Sequence, residues 1–492
     1  MTVRALPLLL ALAAGGAAAQ GTLVDAARNA EHAAAMALLA ERADPNQAEP
    51  DGTTPLHWAV HHDDAELVKR LLEAGADVSV ANDYGATPMS EAAVAANPAV
   101  LAALLEAGAD ADSPNGDGQT ALMVVARAGN TAAAKVLLER GADVNAREQR
   151  KGQTALMWAV AQSHPEMVTL LLEHGAEVDV RSTVNDWERM VTAEPRQKNL
   201  MSGGFTPLLY AARQGCLDCA RHLVAAGAEI DLTDPDGVTP LNSALLNAHF
   251  DTAKYLLEGG ANVNKWDFWG RSPLYAAVDF NTLPHGGRPD RPSLDDTTGV
   301  QMIELLLAAG ANPNAQLKLF PPYRSLRMDR GADTILDIGT TPLLRAARGA
   351  DVAAIERLAA AGALVDLPQR DGITPLMVAV GAGASSIDTR GKFRTALEAL
   401  ETAAALLAAG AAIDQTDARG RTALHYAAAA GYTDVALLLV ERGASLEAVD
   451  TDGVTPLDAA NGKLRGRGRG ASAAYPATAE ALAGLIAATA AR

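Results

Sequence analysis

The sequence predicts an all-α solenoid, a linear stack of short helix pairs. Three observations carry that prediction. A tetrad beginning with Thr or Ser recurs eleven times, and uninterrupted copies lie 33 or 34 residues apart. A glycine also closes each uninterrupted unit 21 residues after the tetrad opens, as Gly75, Gly108 and Gly141 do. Apolar residues within each unit fall at helical spacing, so each unit has one face to bury and needs a neighbour to bury it.

The tetrads read TPLH at Thr54, TPMS at Thr87, TALM at Thr120 and Thr154, TPLL at Thr206 and TPLN at Thr239. They continue as SPLY at Ser272, TPLL at Thr341, TPLM at Thr374, TALH at Thr422 and TPLD at Thr455. Thr54 is placed to cap a first helix through its hydroxyl, and Pro55 suits the first helical turn, where an N–H has no partner anyway. In AELVKRLLEAGADV, Leu67, Val68, Leu71 and Leu72 form the buried face of a second helix, and Gly75 ends it in a left-handed conformation. Each unit resembles the ankyrin repeat, with its T-P-L-H-x-A opening, two short helices and a closing LLEAGADV. The resemblance covers nearly the whole chain beyond its first residues. It implies β-hairpin fingers between repeats, a structural His at His57 and His425, and a concave surface of fingers and first helices that recognises partner proteins.

The first residues read differently. MTVRALPLLLALAAGGAAAQGT has one basic residue, Arg4, an apolar run and an Ala-x-Ala site before Gln20, the order of a secretory signal, which assigns residues 1–19 to a cleaved peptide. The apolar run is shorter than the roughly 20 residues a bilayer span needs. The expected location is periplasmic or secreted. Removing Arg4 leaves 40 basic and 59 acidic residues, a net charge of −19 that repels bare nucleic acid and anionic membranes. No cofactor motif appears in a credible context, so neither a cofactor nor catalysis is expected. The chain is expected to act as a monomer.

Residues 20–50 keep the repeat frame with Leu23 and Ala26 at core positions, but Arg42 stands where the closing glycine belongs, marking an N-terminal capping repeat. Repeats follow over 51–179, 204–314 and 339–449, and 450–492 forms a C-terminal capping repeat whose last helix is AEALAGLIAATA. Two finger insertions, 180–203 and 315–338, each add 19 residues. Two further insertions, 282–298 and 383–397, part the helices of the Ser272 and Thr374 repeats. Loops of such length without periodicity are the places to seek function.

Aromatic residues are 4% of the chain, yet eleven of the nineteen lie between Phe205 and Tyr323. NKWDFWGRSPLYAAVDF holds Trp266, Phe268, Trp269 and Tyr275, with Phe268 and Trp269 at a finger tip where comparable fingers carry polar pairs. Trp187 lies on the first finger insertion, and Phe320, Tyr323, Arg324 and Arg327 on the second. With Arg213, Arg345 and Arg348 on neighbouring first helices, these are the expected partner-binding residues, because interface hot spots favour Trp, Tyr and Arg. The alternative for Phe268 and Trp269 is packing beneath the long loops. A rival overall reading is an enzyme or small-ligand binder whose site the insertions assemble; an enclosed, strongly shifted carboxylate would mark it.

GCLDCARH brings Cys216, Cys219 and His222 together. Simple packing in the second helix is the favoured reading, with a disulfide, a reactive thiol or a metal site completed by His249 left open. HHDD at 61–64 reads as a solvated turn rather than a metal site, and KLRGRGRG, with Lys463, Arg465, Arg467 and Arg469, as a flexible loop.

Overall fold

The computed structural model describes residues 21–185, 202–281, 295–319, 335–383, 393–464 and 473–490. The expected signal peptide, Trp187, Phe320, Tyr323, Arg324 and Arg327, and the arginines of KLRGRGRG lie outside the described residues. Among the described residues there are 24 helices, two to a repeat. They divide into two compact units at Arg150 and Lys151, within the finger ahead of Thr154.

The first unit holds the pairs Leu23–Arg28 and His32–Ala40, Pro55–His61 and Ala65–Glu73, Pro88–Ala95 and Pro98–Glu106, and Ala121–Ala128 and Thr131–Glu139. The second opens with Ala155–Ala161 and Pro165–Glu173, Pro207–Gln214 and Leu217–Ala225, Pro240–Leu245 and Phe250–Glu258, and Pro273–Asn281 and Gly299–Ala308. It continues with Pro342–Gly349 and Val352–Ala360, Pro375–Val380 and Ala396–Ala408, Ala423–Ala430 and Thr433–Glu441, and Pro456–Ala460 and Pro476–Ala490.

Local chemistry starts each first helix. The Thr54 hydroxyl accepts from the His57 amide, and Thr206, Thr239, Thr341 and Thr374 cap their helices in the same way. His57 then joins repeats: the Thr54 amide donates to its Nδ1 at 3.2 Å, and its Nε2 lies 3.0 Å from the carbonyl of Ala86 in the next finger. A carbonyl can only accept, so the ring proton sits on Nε2, and burial holds the His57 pKa below its ordinary value. His425 repeats the arrangement with Val454 at 2.9 Å. The second helices bury Leu67, Val68 and Leu71, all at 2% exposure or less, each side chain contributing about 1.5–3 kcal/mol of burial free energy. Leu72, expected on that face, is only half-buried. Gly75 closes its helix at φ +91°, and Arg42 takes up the same left-handed turn at φ +62° despite its side chain. The closing helix Pro476–Ala490 seats Thr478, Ala479 and Leu482 inward, as a terminal cap requires.

At the outer edge a polar ladder steps from repeat to repeat. The Asp77 amide donates to Asn46 Oδ1 at 2.8 Å, Asn262 to Asp231 at 3.0 Å, Asn312 to Asn264 at 2.8 Å and Ala412 to Asp366 at 2.9 Å. The fingers are hydrogen-bonded turns rather than the β-hairpins expected. Among the described residues there is no strand, only one isolated antiparallel bridge between Val184 and Gly203. The reason is length. A finger such as Asp267–Arg271 closes on itself with two backbone bonds, and its Phe268 amide makes one bond to Asp236 O of the preceding finger, too few to build a ladder.

The two finger insertions rise from equivalent bases. Arg181 donates to Gly204 O and Thr233 O, and Gln316, at the matching position, to Gly339 O and Pro368 O. The amides of Ser182 and Leu317 likewise donate to Phe205 O and Thr340 O.

Candidate recognition surface of the second unit

The finger 264–271 is built around one carboxylate. Asp267 Oδ1 accepts from the amides of Trp269 and Arg271 at 3.1 and 2.9 Å, and its Oδ2 pairs with Arg271 Nε at 2.6 Å. Asp234, Asp417 and Asp450 close their own fingers with the same pair of amide bonds, and so do Asn82 and Asn115. Around this acceptor the rings are arranged. Phe268 and Trp269 are half-buried and meet edge to face at 5.5 Å, and the Arg271 guanidinium lies 5.1 Å over Trp269. Trp266 stands 54% exposed.

The tip pair stands against the start of the second insertion. The Trp269 carbonyl accepts from Lys318 and Leu319 at the base of the second insertion, at 2.9 and 3.2 Å, so this finger also seats that loop. Gly270 permits the approach: at φ +86°, a Cβ there would come within 2.6 Å of Lys318 N. From below, the buried Asn242 donates to the carbonyls of Lys265 and Arg271, each at 3.2 Å.

A second aromatic group was missed by sequence reasoning. Phe205 and Tyr210 lie 5.3 Å apart, Arg213 stacks 5.6 Å over Phe205, and Gln153 donates to the Tyr210 hydroxyl at 2.7 Å. Tyr210 follows its tetrad Thr by four residues, as Trp58, Trp158 and Tyr426 follow theirs, and that recurrence was the available signal. Arg213 is half-buried.

Three expected surface residues are internal. Tyr275 is 2% exposed because it fills the fourth tetrad position, the inward one that His57 and Asn242 occupy elsewhere. Arg345 and Arg348 are 0% and 1% exposed. Arg345 Nε pairs with Asp279 Oδ1 of the preceding repeat at 2.5 Å, and Arg348 donates to Gly383 O at 3.4 Å. A buried guanidinium is tolerated only when paired and bonded, so these two belong to the interior of the second unit. Arg394 extends the seam, donating to Ala379 O at 2.7 Å, Ala347 O at 2.5 Å and Arg348 O at 2.6 Å. It thereby serves carbonyls that the ends of two first helices leave open. Ile335 and Leu336, where the second insertion returns, pack in one cluster with Leu344, Met377, Val378 and Ala382.

Burial pushes Asp234 up to about 6, helped by the neighbouring charges of Asp236 and Asp267. Its two amide bonds give it a turn-forming job, so the shift needs no catalytic explanation. Cys216 and Cys219 are joined by a disulfide, which corrects the reading of them as packing thiols alone. Among the described residues no group of three or more His, Cys, Asp or Glu side chains is placed to hold a metal ion.

Three comparisons place the chain among known proteins. The family profile described as ankyrin repeats (3 copies) matches residues 23–115, 93–182, 208–285 and 395–465, more than half of the sequence. No curated protein matches. Among solved structures, the human ASB11 ankyrin repeat domain is similar at a TM-score of 0.41 and 24% identity, over 49% of this chain and 99% of that domain. The tetrad period, the paired helices and the profile agree: the chain belongs to the ankyrin repeat family.

Proposed function

We propose that this protein is an exported scaffold, without catalysis, that binds a partner protein through the fingers and first helices of its second unit. Ankyrin repeats generally mediate protein–protein binding, and that is the footing of the proposal. The observation that carries the location is the open, rigidly mounted Trp266, 54% exposed beside Phe268 and Trp269 on a finger fixed by Asp267, Arg271 and Asn242. Phe205, Tyr210 and Arg213 supply a second group of the side chains that dominate interfaces. Trp187, Phe320, Tyr323, Arg324 and Arg327 remain candidate contacts on the insertions.

Export rests on the order of charge, apolar run and small residues in the first 19 positions. A net charge of −19 without the first 19 residues disfavours nucleic acid as the partner, and among the described residues no helix is long and apolar enough to cross a membrane. The protein is taken to act as a monomer. The test is affinity capture with the tagged full chain, comparing the parent with Trp266→Ala and Arg213→Ala. Captured partner should fall at least about tenfold for each, in line with a hot-spot loss of about 1.4 kcal/mol or more, while thermal unfolding stays unchanged. Equal capture by parent and both variants would show that recognition lies elsewhere.

A further inference from the structure

Cys216 and Cys219 are the only cysteines in the chain, and their bridge spans a sequence separation of 3 within the first turn of the helix Leu217–Ala225. It ties no repeat to another. A bridge closing so short a loop also removes little freedom from the unfolded chain, so stabilisation is a poor reason for it. The other repeats stack without one.

Position explains it better. In three other repeats the residue before the second helix caps it with an oxygen: Asp64 accepts from Leu67, Asn130 from Ala133 and Asp351 from Ala354, each at 3.0 Å, whereas the two flanking repeats carry His164 and His249 there. Cys216 holds the corresponding place, and its Sγ accepts from the Cys219 amide at 3.3 Å. A sulfur sits where those three repeats mount a carboxylate or amide oxygen, at the end of the helix that favours negative charge. The two residues also differ in exposure. Cys216 keeps 8% exposure and Cys219 none, so an incoming sulfur meets Cys216 first. Gly215 lets the His249 ring pack against the turn that precedes Cys216, since a Cβ there would come within 2.4 Å of the ring's Nδ1. His222 follows on the same helix, and Asp218 and Arg221 pair with each other at 2.8 Å.

The geometry points to a thiol–disulfide exchange site, with Cys216 as the attacking sulfur and Cys219 as the resolving one, acting on a disulfide-bearing partner or small molecule. In the reduced protein the Cys216 thiolate attacks one sulfur of R–S–S–R, forming the mixed disulfide Cys216–S–S–R and releasing RS⁻. Cys219 then loses its proton to solvent and attacks Cys216 Sγ. This closes the observed bridge and expels the second RS⁻. Two electrons pass from the pair to the substrate disulfide, and a thiol reductant runs the cycle in reverse.

Glutathione disulfide is a sufficient probe, used on the dithiothreitol-reduced full chain and followed by intact mass. The reduced parent should return to the two-hydrogen-lighter bridged form without a lasting adduct. Cys219→Ser should stop at a glutathione adduct on Cys216, and Cys216→Ser should form its adduct at least about tenfold more slowly. Limiting iodoacetamide on the reduced parent, which needs no variant, should label Cys216 first. A parent that glutathione disulfide fails to reoxidise, or labelling that favours Cys219 or neither sulfur, overturns the proposal.

Discussion

Replacing Asp234 by Asn should stabilise the protein at neutral pH. Asp234 closes its finger by accepting from the amides of Asp236 and Val238, each at 2.9 Å, and an amide oxygen can do the same. Asn82 and Asn115 already do so in their own fingers. What Asn lacks is the charge. The carboxyl is raised from 3.8 to about 6 by burial, so the folded state binds its proton more tightly than the unfolded chain does. The sign follows from linkage: this group's contribution is most favourable below about pH 4, declines as pH rises, and levels off above about pH 6. At about 1.4 kcal/mol per pH unit the full penalty is about 3 kcal/mol, and partial contact with solvent brings the expected gain for Asp234→Asn at pH 8 to about 1–3 kcal/mol. Urea unfolding of parent and variant at pH 4, 6 and 8 measures it. The advantage of Asn should grow with pH. A variant no more stable than its parent at pH 8, or an advantage that does not change with pH, refutes the reasoning.

Other consequences can be tested on the same footing. Asp279→Leu should cost about 3–5 kcal/mol by removing the carboxylate that faces the buried Arg345, and adding Arg345→Met should recover much of it; independent losses would show that the two do not act as a pair. Arg394→Met should release the carbonyls of Ala347, Arg348 and Ala379 and lower local stability by about 2–4 kcal/mol, read as faster amide exchange confined to the helices Pro342–Gly349 and Pro375–Val380. Gly270→Ala should cost about 1–3 kcal/mol through strain at φ +86° and collision with Lys318 N; an unchanged unfolding curve would mean the insertion base yields freely.

The repeat was legible because its signals are local. Thr caps, N1 prolines and closing glycines act within a few residues, and Thr54, Pro55 and Gly75 behave as their chemistry dictates. Arg42 shows the limit of that logic, since the turn keeps its left-handed form even where the sequence withholds glycine. The buried arginines were not legible. Arg345 finds Asp279 66 residues away across an insertion, and although it holds the tetrad position of Trp58 and Tyr210, nothing local announces a carboxylate partner that would let a guanidinium be buried there. Tyr275 could have been placed correctly, because the tetrad's fourth residue points inward at His57 and Asn242. The fingers, expected as hairpins from the family resemblance, proved too short to carry strands. The Cys216–Cys219 bridge was only an open alternative in the sequence, because the pair lacks the βαβ context that marks a thioredoxin-like site and its helix position alone does not decide between packing and pairing.

The most direct test of the account is amide exchange on the full chain alone and with captured partner bound. Protection should appear at residues 205–213 and 264–271, the segments bearing Phe205, Tyr210, Arg213, Trp266, Phe268 and Trp269. Protection confined to the second helices, such as Leu217–Ala225 and Phe250–Glu258, or to residues 22–150, would contradict it.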